Sequence, residues 1–388
     1  MSSDGHDLSR LTVTEPPRPD KFRQAILDTV LRSFTPPLSL LLGDARVLVT
    51  GARGFFGRYV VDVLLQLNRT VLAQQPVQIH AMDSGVVGGR EVAHDWLNHP
   101  NLTQHWHDVR HEIGVSEFGG QLPTHVWHLA GIASPYWYKR LPEETISVAV
   151  DGTRAMLELA RRAKAKFLFT SSSEVYQTAD VVPTPEHYVG AIPSLTDRSA
   201  YDCSKLLAET LCYVAATKHG QHCTVLRLFN SFGPGQSEQD RRILPRIMSA
   251  AKAKRTINVF KDSNRALPRR TYTPVANTLL GFFIAAVRGD SVGSPSRYGI
   301  THSSGVYNIG LDSPEVTVPE LVHMVSRVAG VDLWYSITRP PEHYETEPLR
   351  RCPDISRIRT LGWMPCMGLE DGLRIFSKWA METYEGIE

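Results

Sequence analysis

The chain has 388 residues, 42% of them hydrophobic and 21% charged, the balance of a folded globular protein whose core is large enough to be stable alone. A formal net charge of +2 makes no electrostatic case for nucleic acid or an anionic membrane surface, since either would draw clustered Lys and Arg. Leu38–Leu42 and Leu279–Val287 are too short to span a bilayer, and five cysteines without a C-x-x-C pair fit a reduced, cytoplasmic setting with no zinc site.

Met1–Pro19 is polar and proline-bearing and reads as a disordered arm; Asp4, His6 and Asp7 argue against a signal peptide. Asp20 can cap a helix in which Phe22, Ile26, Leu27, Val30, Leu31 and Phe34 recur at helical spacing, with Pro36-Pro37 ending it. Its apolar stripe packs on its own domain or serves as an oligomer contact. From Ala45 strands and helices alternate. Arg46–Thr50 and Val77–Asp83 read as strands, and Val126–Leu129 and Lys166–Thr170 continue the pattern. Helices follow over Glu144–Ala163 and Ala200–His219, with a further strand at Thr224–Phe229. Such alternation predicts an α/β fold, a doubly wound parallel sheet of the Rossmann type.

Between the first strand and its helix stands Gly51-Ala52-Arg53-Gly54-Phe55-Phe56-Gly57. Glycines there let the backbone turn tightly and approach a pyrophosphate, which the N–H groups of a helix N-terminus stabilise. Asp83 ends the second strand, where a carboxylate accepts from ribose hydroxyls and repels a 2′-phosphate, so NAD is expected over NADP. Asp108-Val109 is expected against the adenine. Tyr201 and Lys205 lie four apart, on one helix face, where an ammonium can lower a phenol's pKa; the same spacing alone also describes a solvated face. Upstream, Phe167–Thr170 runs into Ser171-Ser172-Ser173-Glu174, placing hydroxyls and an acid at a strand end, where sheets of this type carry chemistry.

Further segments carry a resemblance: His128-Leu129-Ala130 with Ala133-Ser134-Pro135, Ser173–Tyr176, Ala200-Tyr201-Asp202 with Lys205, Arg227–Asn230 with Phe232-Gly233-Pro234, and Arg351–Ile355 with Leu361-Gly362-Trp363. From about Ala45 to Trp379 the chain resembles the extended short-chain dehydrogenase/reductase family of nucleotide-sugar enzymes, and within it the UDP-glucuronate decarboxylases (UDP-xylose synthases). The resemblance implies NAD as cofactor, a UDP-sugar substrate and a homodimer. It implies that Tyr201, Lys205, Ser172 and Glu174 are catalytic: Tyr201 takes the sugar 4-hydroxyl proton as hydride leaves C4, carbon dioxide departs from the 4-keto acid, and Glu174 serves protonation at C5. Cofactor residues are then Gly51, Gly54, Phe55, Phe56, Gly57, Asp83, Asp108, Val109, Leu129 and Ala130, besides Tyr201 and Lys205. Substrate residues are Ser134, Pro135, Asn230, Arg242, Arg270 and Arg351, with Arg270 on the sugar carboxylate or the diphosphate. The implied division is an arm and helix over residues 1–44, a NAD-binding part over 45–229 with a return segment 270–310, and a smaller sugar-nucleotide part from 230–269 and 311–388.

Four residues depart from the family pattern: Ser172 for a threonine, which keeps the hydroxyl, Asn277 for an aspartate, Ala149 for an asparagine and Gln177 for a glycine. A 4-epimerase, a C5-epimerase or a 4,6-dehydratase remains open on this scaffold, as does a non-catalytic NAD-binding protein.

Overall fold

A computed structural model describes residues 20–34, 41–87, 96–261, 266–294, 303–338 and 348–387; the arm Met1–Pro19 lies outside them. Seven strands build the central sheet: β1 (Arg46–Thr50), β2 (Gln78–Asp83), β3 (Leu102–Trp106), β4 (His125–His128), β5 (Lys166–Ser172), β6 (Cys223–Leu228) and β7 (Val306–Ile309). They lie in the order β7-β6-β5-β4-β1-β2-β3, and every pairing is parallel. The apolar runs of β1 and β5 are buried almost end to end, as strands covered on both faces must be.

One face is covered by α1 (Lys21–Ser33), α2 (Phe55–Arg69) and a helix from the later chain, Val275–Arg288. Asp20 caps α1 by accepting from the N–H groups of Phe22 and Arg23. The stripe Ile26, Leu27 and Val30 is buried within the molecule, and Phe34 meets Phe283 edge to face. The opposite face is covered by α3 (Thr153–Ala163) and α4 (Ser199–His219), through Met156, Leu159, Ala208, Cys212 and Ala215. A third cluster gathers Ile243–Lys252, Val318–Ala329 and Leu369–Thr383 beyond the C-terminal ends of the strands.

Two departures from the family pattern have a local account. Asn277 is fully buried; its amide donates to Met367 O (2.7 Å) and its Oδ1 accepts from the N–H groups of Cys366 (2.7 Å) and Met367 (3.0 Å). A carboxylate could accept there but not donate, so the neutral side chain matches its surroundings. At Ala149 the helix widens into a π turn over Val148–Gly152, and the small side chain is buried. No helix among the described residues is long and apolar enough to cross a membrane.

Candidate active site

The C-terminal ends of β1, β4, β5 and β6 open on a cavity of about 500 Å³. Its floor is the turn from β1 into α2. Gly51 holds φ +65°, and a Cβ on it would stand 2.8 Å from the Ala130 backbone; a Cβ on Gly57 would stand 2.1 Å from Gly51 O. These glycines let strand, turn and helix close on one another. The N-cap of α2 is Gly54, which has no side chain to cap the first turn, so its N–H groups suit an anion. A dinucleotide diphosphate fits this cradle. At the end of β2, Asp83 accepts from the N–H groups of Arg53 and Gly85, both at 2.9 Å. Arg53 stacks 3.5 Å over the Trp106 ring and donates to Gln104 Oε1 at 2.8 Å, walling this end of the cradle. Burial holds its guanidinium down to about 10, against the pull of Asp83.

The other end of the cavity is built by β5 and α4. Ser172 is the last residue of β5, and its Oγ accepts from Glu174 N at 3.3 Å. Tyr201 sits in the first turn of α4, buried, with its ring stacked on Tyr138 at 5.2 Å. Burial pushes the phenol up to about 12, opposed by the neighbouring Ser172 hydroxyl and by the Arg242 guanidinium. The expected lowering by Lys205 is not the arrangement found. Lys205 Nζ donates to Thr170 O at 2.8 Å and lies 6.0 Å from the centre of the Tyr201 ring. Burial brings this ammonium down to about 8.

Glu174 lies between two guanidiniums, one oxygen accepting from Arg198 and the other from Arg351. Burial works against its charge, but Arg351, then Arg198, hold the carboxyl down to about 2. Arg351 is buried, and its Nε and Nη2 have no hydrogen-bond partner among the described residues. The short strands Arg269–Arg270 and Arg350–Arg351 pair in parallel with Arg270 opposite Arg351, so both guanidiniums reach the same wall. Arg242 donates to Asp240 Oδ2 (2.9 Å) and Ala133 O (2.7 Å), and Asn230 donates to Thr271 O (3.0 Å).

The model of the NAD dependent epimerase/dehydratase family matches residues 47–310, most of the chain. The chain belongs to that family. Among its relatives, UDP-glucuronic acid decarboxylase 6 of Arabidopsis thaliana is 31% identical over 336 residues, 86% of this chain and 88% of that protein. UDP-glucuronic acid decarboxylase 3 of the same plant is 29% identical over 368 residues, 95% of this chain and 94% of the relative. Among solved structures, a UDP-glucose 4-epimerase of Thermotoga maritima superposes with a TM-score of 0.72 at 24% identity, over 88% of this chain and 100% of that one, which shows the shared fold.

Within this epimerase/dehydratase frame the cavity wall gathers Gly51, Gly54, Phe55, Phe56, Gly57, Leu129 and Pro135 with Ser172, Glu174, Tyr201 and Lys205, and with Asn230, Arg242, Arg270 and Arg351. Five expected residues stand outside its lining. Asp83 takes backbone N–H groups at the β2 end. Asp108 is clamped by its neighbour Arg110, which holds its carboxyl low. Val109 is buried beneath α3, where a Cβ on Gly152 would meet its Cγ2 at 2.8 Å. Ala130 packs on Gly51 and donates to Thr50 Oγ1 (3.2 Å), and Ser134 donates to Asp240 O (3.0 Å). Missed in the sequence were Tyr138 and Arg198, which line the cavity, and Arg53 beside the cradle. Arg198 stands three residues before Tyr201, a spacing that could have signalled it.

Proposed function

We propose that this chain is a NAD-dependent carboxy-lyase that converts UDP-glucuronate to UDP-xylose through a 4-keto intermediate. The observation that carries the reading is the meeting of two kinds of chemistry in one cavity: a buried Tyr201 and the Ser172 hydroxyl on one wall, and a buried Arg351 with unfilled N–H groups opposite Arg270. A hydroxyl to be oxidised and a carboxylate to be lost need these side by side. The names of its relatives support the same substrate.

The glycine turn and the α2 N-terminus would hold the NAD diphosphate, Asp83 the adenosine ribose, and Lys205 the nicotinamide ribose. When bound, the dinucleotide supplies the hydride acceptor and donor for sugar C4. Burial keeps the Tyr201 phenol protonated, so it must first give up its own proton; as phenolate it takes the 4-hydroxyl proton and later returns it, with Ser172 holding the phenol and the hydroxyl in line. Arg351, helped by Arg270, grips the C6 carboxylate; Asn230 and Arg242 take the diphosphate region. The C5–C6 bond then breaks, its electron pair stays on C5 conjugated with the 4-ketone, and carbon dioxide leaves. Glu174 enters this stage ionised, so it must first take up a proton, or order a water that carries one, before C5 is protonated. The net reaction consumes one proton and releases one carbon dioxide.

Incubation of the protein with UDP-glucuronate and NAD, followed by mass spectrometry, tests the reading. Loss of carbon dioxide with appearance of a pentose nucleotide supports it. Unchanged mass with altered stereochemistry would make the protein an epimerase.

The finer parts of the reading are a cytoplasmic homodimer joined through α4, the helix that carries Tyr201. Its support is an apolar surface: Leu206, Leu207, Tyr213 and Val214 on α4 and Ile146 beside it are exposed. Sedimentation of the protein and of Leu207→Glu tests the dimer, which the charge should split.

A further inference from the structure

Gln177 ends the turn that carries Glu174, with φ +47° and ψ −126°. Glycine enters that region freely, whereas a residue with a Cβ is strained there. A glutamine kept at such a position needs a use for its side chain. The side chain is buried, and its amide donates to Asp202 Oδ2. Asp202 is 1% exposed, its other oxygen has no partner among the described residues, and it does not line the cavity. Its Oδ2 lies 3.5 Å from Arg198 Nε, and the far end of Arg198 binds Glu174. A chain of contacts therefore runs from the Gln177 amide through Asp202 and Arg198 to the carboxylate at the reacting end.

We propose that Gln177 and Asp202 are positioning residues for Glu174: the neutral amide fixes Asp202, and Asp202 anchors Arg198 so that Glu174 is held between Arg198 and Arg351. This rests on the decarboxylase reading of the site. Neither residue reaches substrate. Their effect falls on the stage after oxidation, when carbon dioxide has left and C5 takes its proton, because Glu174 serves that stage while Tyr201, Ser172 and Lys205 serve the hydride steps at C4. Asp202 faces Glu174, Arg198 and Arg351, together with Gln177. Burial and the Glu174 charge push its carboxyl up to about 7, so it loses its hold on Arg198 as the pH falls through neutrality.

The test compares the unaltered enzyme with Gln177→Gly, which relieves the backbone but removes the amide, and Asp202→Asn, which keeps shape and removes charge. Reduced cofactor (absorbance), carbon dioxide and released 4-keto pentose are followed over single turnovers from pH 6 to 9, with UDP affinity and thermal melting as checks of folding. Both variants should slow pentose formation by about tenfold while initial oxidation and carbon dioxide release change by less than about threefold. More product should then leave as the 4-keto pentose, and Asp202→Asn should flatten the acid limb of the pH profile. Oxidation and the later stage falling by one common factor, or neither changing, overturns the positioning role. If Gln177→Gly fails to fold, the isosteric Asp202→Asn decides. An unaltered enzyme that releases no carbon dioxide from UDP-glucuronate overturns the decarboxylase reading, and this proposal falls with it.

Discussion

Tyr201 combines a buried phenol, a ring stacked on Tyr138 and a place beside Ser172 in the cavity wall. Removing only the hydroxyl, in Tyr201→Phe, should cut turnover about 10²–10⁴-fold while UDP affinity, measured by calorimetry, stays level. Arg351 is a different kind of residue, one edge on Glu174 and the other unfilled. Arg351→Ala should raise KM for UDP-glucuronate far more than it weakens binding of UDP-glucose, which has no carboxylate; equal losses on the two would remove the carboxylate role. Asn277 makes a third, structural case. In Asn277→Asp a buried carboxylate would face Met367 O without a proton to give, at a cost of about 3 kcal/mol readable by urea unfolding.

The sheet owes its site to where its elements end. Ser172 closes β5, Tyr201 opens α4 and Gly51 follows β1, so residues far apart in the chain meet at one rim. Helix α1 belongs to this frame from outside it. Arg23 pairs with Asp62 at 2.5 Å and covers the Tyr59 ring, whose hydroxyl donates to Pro234 O at 2.8 Å. Tyr59 in turn meets Phe55, which lines the cavity. The helix thus braces α2 just behind the glycine turn. Ile26→Ala should remove about 3 kcal/mol of stability through the cavity it leaves, and lower the urea midpoint with it.

Across the whole molecule, His80 on β2 and His128 on β4 are buried and His125 at the start of β4 is half-buried; desolvation lowers His80, His125 and His128 to about 4, 4 and 3. The unfolded chain binds these protons near pH 6.5, whereas the folded chain does not until well below pH 5. Stability owed to the three neutral rings is therefore intact above about pH 6.5 and lost as the pH falls toward 4. Calorimetry should show the melting temperature dropping through that window, and His128→Gln should shrink the drop.

Much of this organisation was legible in the chain. The strand–glycine turn–helix signal, the acid at the end of β2 and the Tyr201–Lys205 spacing are local patterns, set within a few residues by backbone sterics and helical periodicity, and from them follow the doubly wound sheet and two residues that share the cavity wall. What sequence could not supply was direction. Asp108 faces Arg110 and Val109 faces Gly152 because neighbours close in sequence or across the sheet claim them first. Lys205 points at Thr170 O, and Glu174 is clasped by Arg198 and Arg351, the second 177 residues away. Local spacing decides which residues share an element and a face. Which partner a buried charge meets depends on strands and loops brought together from across the chain, and burial makes that choice decisive, because a charge without a partner is costly there.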